Sequence, residues 1–503
     1  MVVALIYDRM RPGMILFSVV VLFLCAGILT PKEMLEGFSN KGMITVALLF
    51  LVSEGIRQSG TLGQVIKKLL PQGKTTVFKA QLRILPSVAF ISAFLNNTPV
   101  VVIFAPIIKH WAKSVNLPAT KFLIPLSYVT ILGGICTLIG TSTNLVVHGM
   151  ILEAGFEGFS MFELGKVGIF IAIAGIIYIF LFSKRLLPDA RPDTAVPDEE
   201  VEEGEKLHRV EAVLGARFPG INKKLKDFNF QRHYGAEVKE IKTRNGQRFV
   251  TNLDDVVLHE GDTLVVMADD TFIPTWGESS VFVLLTNGNE PDTTGKKKRW
   301  FALLLLVLMI VGATVGELPI TKEMFPGIKL DMFFFVSITT IIMAWTNLFP
   351  ARKYTKYISW DILITIACAF AISKAMVNSG VADSVAKFII GLSDDYGPHV
   401  LLAMVFIITN LFTELITNNA AAALAFPLAL SISAQLGVSP TPFFVVICMA
   451  ASASFSTPIG YQTNLIVQGI GNYKFTDFVR IGLPLNIITF LISIILIPLI
   501  WNF

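Results

Sequence analysis

Charged residues and cysteines are both scarce in this sequence of 503 residues. Charged side chains make up 16% of the chain, whereas a soluble globular domain carries about 25%. Outside residues 184–297, Lys and Arg are confined to short connections between apolar segments. This pattern predicts many membrane segments and one polar insertion. The four cysteines lie in apolar runs without a Cys-x-x-Cys pair, so we expect core residues and neither disulfides nor metal ligands.

Sequence motifs of several protein classes are also missing. There is no Walker-type phosphate loop, which argues against an ATP-driven motor. There is no Thr-Val-Gly-Tyr-Gly stretch of the kind that lines potassium channel filters, which argues against a channel. No nucleophile stands beside a base in a recognisable pattern, so no enzyme is expected. A nucleic-acid partner is not expected either.

The apolar segments are long enough to cross a membrane, which takes roughly 20 residues. Full crossings are predicted at about residues 13–30, 41–57, 118–153, 162–183, 299–316, 332–348, 359–378, 442–471 and 477–501. Two further apolar regions, 82–112 and 398–436, are interrupted by Asn and Thr. The basic clusters fall on one side only if each of these regions enters and leaves by the same face, so both are predicted to be re-entrant hairpins. The same rule predicts a multi-pass protein of the plasma (inner) membrane with residues 184–297 in the cytoplasm.

The two apolar halves repeat each other. Asn96-Asn97 of the first half recurs as Asn418-Asn419 in the second, and Thr143-Asn144 recurs as Thr463-Asn464. Three more matches have nearly the same spacing: Ser59-Gly60 with Ser379-Gly380, Pro118 with Pro440, and Gly149 with Gly469. Because equivalent segments begin on opposite sides, we expect inverted repeats with the substrate site between them at the membrane midplane.

The expected fold is an all-α polytopic membrane protein with inverted repeats, two re-entrant hairpins and broken helices, plus a small α+β cytosolic domain. Its parts are the first repeat at 1–183, a linker at 184–205, the cytosolic domain at 206–297 and the second repeat at 298–503. Segment 299–316 has no counterpart before the first repeat, where only Met1 to Tyr7 stand. We therefore expect a chain that starts late; a naturally short N-terminus is the alternative.

Amides and hydroxyls cluster at the two hairpin tips. The first tip carries Ser92, Asn96, Asn97 and Thr98, and the second carries Glu414, Asn418 and Asn419. Such groups are costly in a membrane unless they have partners, and helix ends in a hairpin expose carbonyls to Na⁺ and N–H groups to an anion. A helix cap is the alternative, although one such residue would suffice for a cap. Glu414 is expected to assist a cation, to carry a proton or to be only structural.

Two long crossings contain polar interruptions with glycine or proline. Such sequences predict broken helices at the midplane, and a simple kink is the alternative. The candidate binding residues of the first break are Gly140, Thr141, Ser142, Thr143 and Asn144. Those of the second break are Ser456, Thr457, Pro458, Thr463 and Asn464.

The polar insertion predicts a compact domain after an acidic, Pro-containing linker. The hydrophobic spacing predicts strands at 208–214, 236–243, 248–250, 263–268 and 280–285, and a helix at 221–227. Asn245-Gly246 is a hairpin turn signal. No catalytic set stands out in this domain.

Four stretches resemble the divalent anion:sodium symporter family: AFLNNTPVVVIFAPI, LGGICTLIGTSTNLVV, ELITNNAAAALAFP and ASASFSTPIGYQTNLIV. The match is nearest to the sodium/sulfate branch, whose members carry domains of the TrkA C-terminal kind (RCK_C). Gly215–Gly220, Tyr234-Gly235 and Glu260–Val266 resemble such a domain. The resemblance implies a homodimer in membrane lipid that works as an elevator, with Na⁺ as coupling ion and a small regulatory ligand at the domain.

The resemblance also implies roles for individual residues. One Na⁺ site would use Ser92, Asn97 and the backbone near Gly140, and the other would use Asn419 and the backbone near Ser456 and Pro458. Substrate would contact Asn97, Thr98, Thr141 and the residues around Thr457–Pro458. Ala420 stands where the family's second tip has Thr, which favours a smaller oxyanion over a dicarboxylate.

The leading hypothesis is therefore Na⁺-coupled symport of a small divalent oxyanion, most of all sulfate. The alternatives are a dicarboxylate symporter and a Na⁺/H⁺-type antiporter that uses Glu414.

Overall fold

The computed structural model describes residues 12–71, 73–189, 208–215, 217–243, 247–269, 272–276, 281–286, 296–324, 327, 329–391 and 397–503. The Asn245-Gly246 turn, most of the acidic linker and the segment before residue 12 lie outside these ranges, so those three expectations remain predictions.

The described residues of the first half form nine α-helices. They are α1 Pro12–Cys25, α2 Pro31–Glu36, α3 Lys41–Gln58, α4 Thr61–Leu69, α5 Val77–Ser92, α6 Asn97–Ser114, α7 Leu123–Gly134, α8 Ser142–Glu153 and α9 Gly165–Leu186. Polar caps set several of these boundaries. Asn40 Oδ1, for example, accepts from Gly42 N at 2.7 Å at the start of α3.

The described residues of the insertion form five strands and two short helices. These elements are β1 His208–Leu214, α10 Phe230–Tyr234, β2 Glu237–Lys242, β3 Arg248–Phe249, β4 Thr263–Ala268, α11 Phe272–Trp276 and β5 Phe282–Thr286. In the second half the described residues form eleven helices. They are α12 Lys296–Gly316, α13 Pro319–Met324, α14 Met332–Trp345, α15 Tyr354–Tyr357, α16 Trp360–Asn378, α17 Val381–Gly391, α18 Gly397–Leu415, α19 Asn418–Leu436, α20 Thr441–Ser452, α21 Gln462–Gly471 and α22 Phe475–Ile500.

The helices form a multi-pass membrane bundle. Among the described residues, seven helical segments are long and apolar enough to cross a membrane. The two interrupted regions are hairpins, α5–α6 and α18–α19, and their tips fall at the polar sequences. The predicted crossings 118–153 and 442–471 are each two helices, α7 with α8 and α20 with α21, separated at the predicted breaks. The expected architecture of hairpins, broken helices and a small α+β domain is confirmed.

The second arm of the second hairpin, α19, lies at the centre of the bundle, and the last helix lies at its edge. In α19, 72% of the most apolar window is buried, compared with 28% in α22. The residues that begin at the tip of the second hairpin are therefore enclosed by protein, whereas α22 exposes one side to its surroundings.

The insertion folds as an antiparallel sheet with the strand order β3-β2-β4-β1-β5. All five predicted strands are present, and the one predicted at 280–285 is β5. The helix predicted at 221–227 is wrong. Asn222 has a φ of +61° and Lys224 pairs with Val257, so this segment turns and ends in the 3-10 turn Leu225–Asp227. The short helix begins later, at Phe230, where the Asn229 side chain accepts from Arg232 N at 3.0 Å.

The two faces of strand β1 pack against different parts of the protein. Along β1, Val210, Ala212 and Leu214 pack in the aromatic core of the domain, while Val213 packs in the hydrophobic core of the membrane bundle. Lys109 Nζ, near the end of α6, lies 2.9 and 3.0 Å from the two carboxylate oxygens of Glu211 on β1. The alternation of side chains along a strand thus presents one face to each partner.

The domain also touches α21, the second half of a broken helix. A Cβ placed on Gly261 would lie 3.4 Å from Leu465 Cδ2, and one placed on Gly469 would collide with Thr263 Oγ1. The turn before β4 and the start of β4 therefore lie directly against this helix.

Candidate functional site

The tip of the first hairpin is built around the amide of Asn97, the first residue of α6. Ser92 Oγ lies 2.8 Å from one end of this amide, and the Tyr461 hydroxyl lies 2.5 Å from the other. With its nitrogen turned toward Ser92, the amide also donates to the carbonyl oxygens of Thr130 and Gly140, at 3.1 and 3.3 Å. Asn97 is 1% exposed, so these partners make a deeply buried amide tolerable.

The same tip reaches the second repeat. Thr98 Oγ1 donates to Gln462 Oε1 at 3.2 Å, and the Tyr461 hydroxyl lies 3.0 Å from Thr141 Oγ1. Asn96 makes no capping hydrogen bond and instead lines a narrow cleft. The predicted residues Asn97, Thr98 and Thr141 are therefore brought together around two residues of the second break.

The two tips correspond in a register that is one residue out of step with the matching asparagine pairs. Thr413 Oγ1 donates to Asn418 Oδ1 at 3.2 Å, and Ser92 makes the equivalent contact with Asn97 at the first tip. Helix α19 begins at Asn418, as α6 begins at Asn97. Asn418, and not Asn419, is therefore the counterpart of Asn97.

This register changes the interpretation of the second tip. Asn419, and not Ala420, stands where the first tip has Thr98. The side chain of Asn419 accepts hydrogen bonds from Ser142 Oγ and Thr143 Oγ1 of the first break, both at 3.3 Å. We expected this tip to lack the hydrogen-bonding side chain of a Thr, and this expectation is wrong. It came from aligning the asparagine pairs of the two tips, and that alignment is one residue away from the one in the structure.

The two helix breaks have the same internal hydrogen bonds at corresponding positions of the two repeats. In the first break, Thr137 Oγ1 accepts from Gly140 N at 3.1 Å, and Asn144 Nδ2 donates to Thr137 O at 2.9 Å. In the second break, Thr457 and Asn464 make the equivalent bonds at 3.2 and 3.1 Å. A side-chain amide thus replaces the missing helical donors in each break.

Each break is also tied to the hairpin tip of its own repeat. Thr137 Oγ1 donates to Ala93 O, and Thr457 Oγ1 donates to Glu414 O at 3.0 Å. The hydroxyl of Ser127 on α7 contacts Thr463 Oγ1 at 2.8 Å and Asn464 Oδ1 at 2.7 Å. Thr463 and Asn464 therefore join the second break to α7 of the first repeat.

Glu414 lies beside the second break, in the last turn of α18. Its Oε1 accepts from Ser456 N at 2.8 Å and from Asn486 Nδ2 at 2.7 Å. Asn486 Nδ2 lies 2.8 Å from Ser456 Oγ as well. Ser456 is thus placed at Glu414, and none of the hydrogen bonds between described residues joins it to Asn419. Pro458, which is also buried, follows Ser456 by two residues in the sequence.

Tyr461, Gln462 and Asn486 are contacts that the sequence reasoning missed. Tyr461 and Gln462 occupy the places in the second repeat that Thr141 and Ser142 occupy in the first, so the repeat spacing was an available signal. A tyrosine and a glutamine do not resemble the small residues at the equivalent places, which hides the match. Asn486 lies in the apolar run of α22, and nothing in the sequence links it to Glu414.

Comparison with known proteins gives the same class of molecule. The family model described as "Citrate transporter" matches residues 2–437 and 324–502. An uncharacterized transporter of Synechocystis is 30% identical over 96% of this chain and 93% of its own length. The sodium/sulfate cotransporter 2 of Chlamydomonas reinhardtii is 31% identical, over 56% of this chain and 31% of its own length.

A solved structure supports the fold. The YdaH transporter of Alcanivorax borkumensis, whose crystal structure is described as revealing an unusual topology, matches with a TM-score of 0.56. The match covers 97% of this chain and 98% of that chain, at 12% identity, so it bears on the fold alone. With the family model matching nearly the whole length, this chain is a membrane transporter and not an enzyme, and it belongs to the citrate transporter family.

Proposed function

We propose that the protein is a Na⁺-coupled symporter of a small divalent oxyanion, with sulfate as the preferred substrate, and that it works as an elevator. The observation that carries this proposal is the hydrogen-bond network that occurs twice. Each repeat supplies a hairpin tip with a buried Asn and a helix break held by Thr and Asn. Two equivalent half-sites of neutral oxygens and N–H groups suit a doubly charged anion and small cations between two repeats.

The first half-site offers oxygen ligands to Na⁺. Ser92 Oγ and the carbonyl oxygen of Gly140 lie 2.8 and 3.3 Å from the Asn97 amide. Hard monovalent cations bind such oxygens, and the amide would add its own oxygen by turning Oδ1 toward Ser92 when Na⁺ binds. By the repeat register, Thr413 and Asn418 take the places of Ser92 and Asn97 in the second half-site. We extend the second proposed Na⁺ site accordingly, from Asn419 and the backbone near Ser456 and Pro458 to include these two side chains.

The proposed substrate lies between the tips. Helices α6 and α19 both begin there, at Asn97 and Asn418, and helix N-termini favour anions. Thr98, Thr141 and Asn419 would add hydroxyl and amide donors. The naming of Chlamydomonas relatives as sodium/sulfate cotransporters supports sulfate. The family description as citrate transporter supports a carboxylate as the second candidate substrate.

We propose further that the inserted domain, as an RCK_C-like module on the cytoplasmic side, regulates transport in response to a small ligand. Its contacts with α6 and α21 support this role, since both helices begin at the site. Burial alone would raise the pKa of Glu211, but the ammonium groups of Lys109 and Lys242 outweigh it and lower that pKa to about 2. The carboxylate therefore stays charged and keeps the domain tied to α6. We propose a homodimer in the plasma (inner) membrane as the working form.

The test is uptake of radiolabelled sulfate into proteoliposomes with and without an inward Na⁺ gradient. We expect Na⁺-driven uptake by the intact chain and its loss in Asn97→Ala, because the amide joins the proposed ion and anion sites. Asn378→Ala is the control, since that amide contacts Ile28 O and Glu33 away from the tips. Uptake of citrate or succinate in place of sulfate would favour the carboxylate substrate.

The antiporter alternative is tested in the same vesicles. An antiporter with Glu414 as proton carrier would change the internal pH when Na⁺ is added without any anion, and Glu414→Gln would abolish that change. A symporter would keep sulfate uptake in this variant with an altered dependence on Na⁺.

A further inference from the structure

Glu414, which is half-buried, and Asn486, which is buried, form a pair of polar groups with more acceptors than donors. Asn486 is 7% exposed, and its Nδ2 supplies both Glu414 Oε1 and Ser456 Oγ, at 2.7 and 2.8 Å. No described residue donates a hydrogen bond to Glu414 Oε2 or to Asn486 Oδ1, although both atoms are inaccessible to solvent. The pair therefore carries one negative charge without a counter-charge from a described residue. It also has two oxygens that accept no hydrogen bond from a described residue.

An unneutralised carboxylate in this position is costly. Moving a charge out of water without a counter-charge carries a large free-energy penalty, and buried acceptors without donors add to it. None of the salt bridges between described residues involves Glu414, whereas Glu54 in α3 is paired with Arg57 at 2.7 Å. A bound cation would cancel the charge of Glu414, and oxygens that lack a hydrogen-bond donor are available as its ligands.

The chain is built to bring Asn486 to this place. Gly482 precedes Asn486 by four residues on α22, so both lie on the same helix face. A Cβ on Gly482 would collide with Phe455 O, which shows that α22 touches the backbone of the second break here. The absence of a side chain at Gly482 therefore allows Asn486 to reach across to Glu414.

We propose that the side chains of Glu414, Asn486 and Ser456 form a third Na⁺ site. It differs from the two proposed at the hairpin tips, of which the second uses only the backbone near Ser456. The ligands are hard oxygens: a carboxylate, an amide carbonyl and a hydroxyl. One carboxylate balances one monovalent ion, whereas proteins usually bind Ca²⁺ with several carboxylates. The site lies behind the second tip, because Thr457 Oγ1 holds the carbonyl of Glu414 while the Glu414 side chain turns toward α22. This inference rests on the proposed Na⁺ coupling.

The test is equilibrium binding of radioactive Na⁺ to the purified, full-length protein, in the absence of any anion. We expect Glu414→Gln and Asn486→Leu each to bind about one ion fewer per chain than the intact protein, because each removes a ligand of one site. Asn97→Ala should lose a different ion, so that the double variant Asn97→Ala with Glu414→Gln loses both. Thr489→Val is the matched control on α22, since Thr489 Oγ1 bonds only its own helix at Leu485 O.

A second readout is the Na⁺ concentration that gives half-maximal sulfate uptake. We expect Glu414→Gln to raise it by about tenfold, with a lower Hill coefficient, while uptake itself persists. If the intact chain binds Na⁺ and Glu414→Gln binds the same number of ions, the third site is refuted and the tip sites stand. If the intact chain binds no Na⁺, the proposed Na⁺ coupling itself fails. Binding that is unchanged in Glu414→Gln at pH 8 while proton uptake is lost would assign Glu414 to a proton instead.

Discussion

The contact between the inserted domain and α21 can be captured with an engineered disulfide. A Cβ at Gly261 would lie 3.7 Å from Leu465 Cβ, and disulfides join Cβ atoms about 3.5–4.5 Å apart. We therefore expect Gly261→Cys with Leu465→Cys to cross-link under mild oxidation. The exposed native thiol, Cys25, is replaced by Ser in the background.

The free-energy terms favour bond formation in this pair. Gly261 has a φ of +84°, where a residue with a side chain costs about 1–2 kcal/mol. In the chain-entropy description, closing the loop between residues 261 and 465 with a disulfide stabilises the folded state by about 5 kcal/mol. The strain at Gly261 is thus smaller than the gain, and the domain should remain docked in the variant.

The assay uses protease sites inserted within 190–207 and 287–295, followed by a non-reducing denaturing gel. The cut domain should migrate with the membrane part only when the disulfide has formed. Gly261→Cys with Ile466→Cys is the control, because neighbouring positions on a helix differ by about 100° around its axis. Equal cross-linking in both pairs, or none in either, would refute the docking geometry.

The same variant tests regulation. If transport requires α21 to leave the domain, oxidation should stop sulfate uptake and a reductant should restore it. Uptake that is indifferent to oxidation would refute control by undocking and would indicate that the domain moves together with the hairpin.

Two further predictions concern stability. Gly133→Ala should destabilise the bundle by about 1–3 kcal/mol, because the added methyl would collide with Ala89 O where α5 and α7 touch. Thermal unfolding in detergent measures this, with Gly391→Ala, which meets nothing within 4 Å, as control; equal melting temperatures for the two variants would contradict it. Because the pKa of Glu211 is lowered from 4.5 to about 2, its stabilising contribution should be complete above pH 4.5 and fall as the pH drops toward 2. In Glu211→Gln, the free energy of unfolding of the domain should therefore no longer fall in that pH window. An unchanged pH profile in this variant would contradict the salt bridge of Glu211.

Much of the fold could be predicted from local patterns. Apolar runs interrupted by Asn, Thr, Gly and Pro placed both hairpins and both broken helices, since an interrupted helix in a membrane needs polar groups at the interruption. The strands of the insertion followed from alternation. The helix at 221–227 failed because its apolar spacing competes with Asn222, which adopts a left-handed conformation and begins a turn instead.

The sequence predicts which residues form the site, but not which of them contact each other. Local sequence identifies Asn419 as a tip residue, but it does not indicate that Asn419 meets Ser142 and Thr143, which are 277 and 276 residues away. Those contacts depend on how the repeats interlock. The same is true of Glu414, whose partner Asn486 comes from a helix outside the repeated motifs.

Two glycines at equivalent positions of the two repeats show how the inserted domain makes the halves different. Gly149 on α8 packs against Gly42, at 3.4 Å from a Cβ to its Cα, so that α3 covers the first broken helix. Its counterpart Gly469 on α21 faces Thr263 and the carbonyl of Gly261, so that the inserted domain covers the second broken helix. At each glycine an added Cβ would collide with a side-chain oxygen next to the covering element, Asn40 Oδ1 at Gly149 and Thr263 Oγ1 at Gly469. A domain that occupies the place taken by a membrane helix in the other repeat can bias one repeat against the other.

Leu465, which the domain contacts, is three residues after Gln462 in the site, or about 5 Å along the helix axis. Release of the domain from Leu465 would therefore act on the site through a single turn of α21.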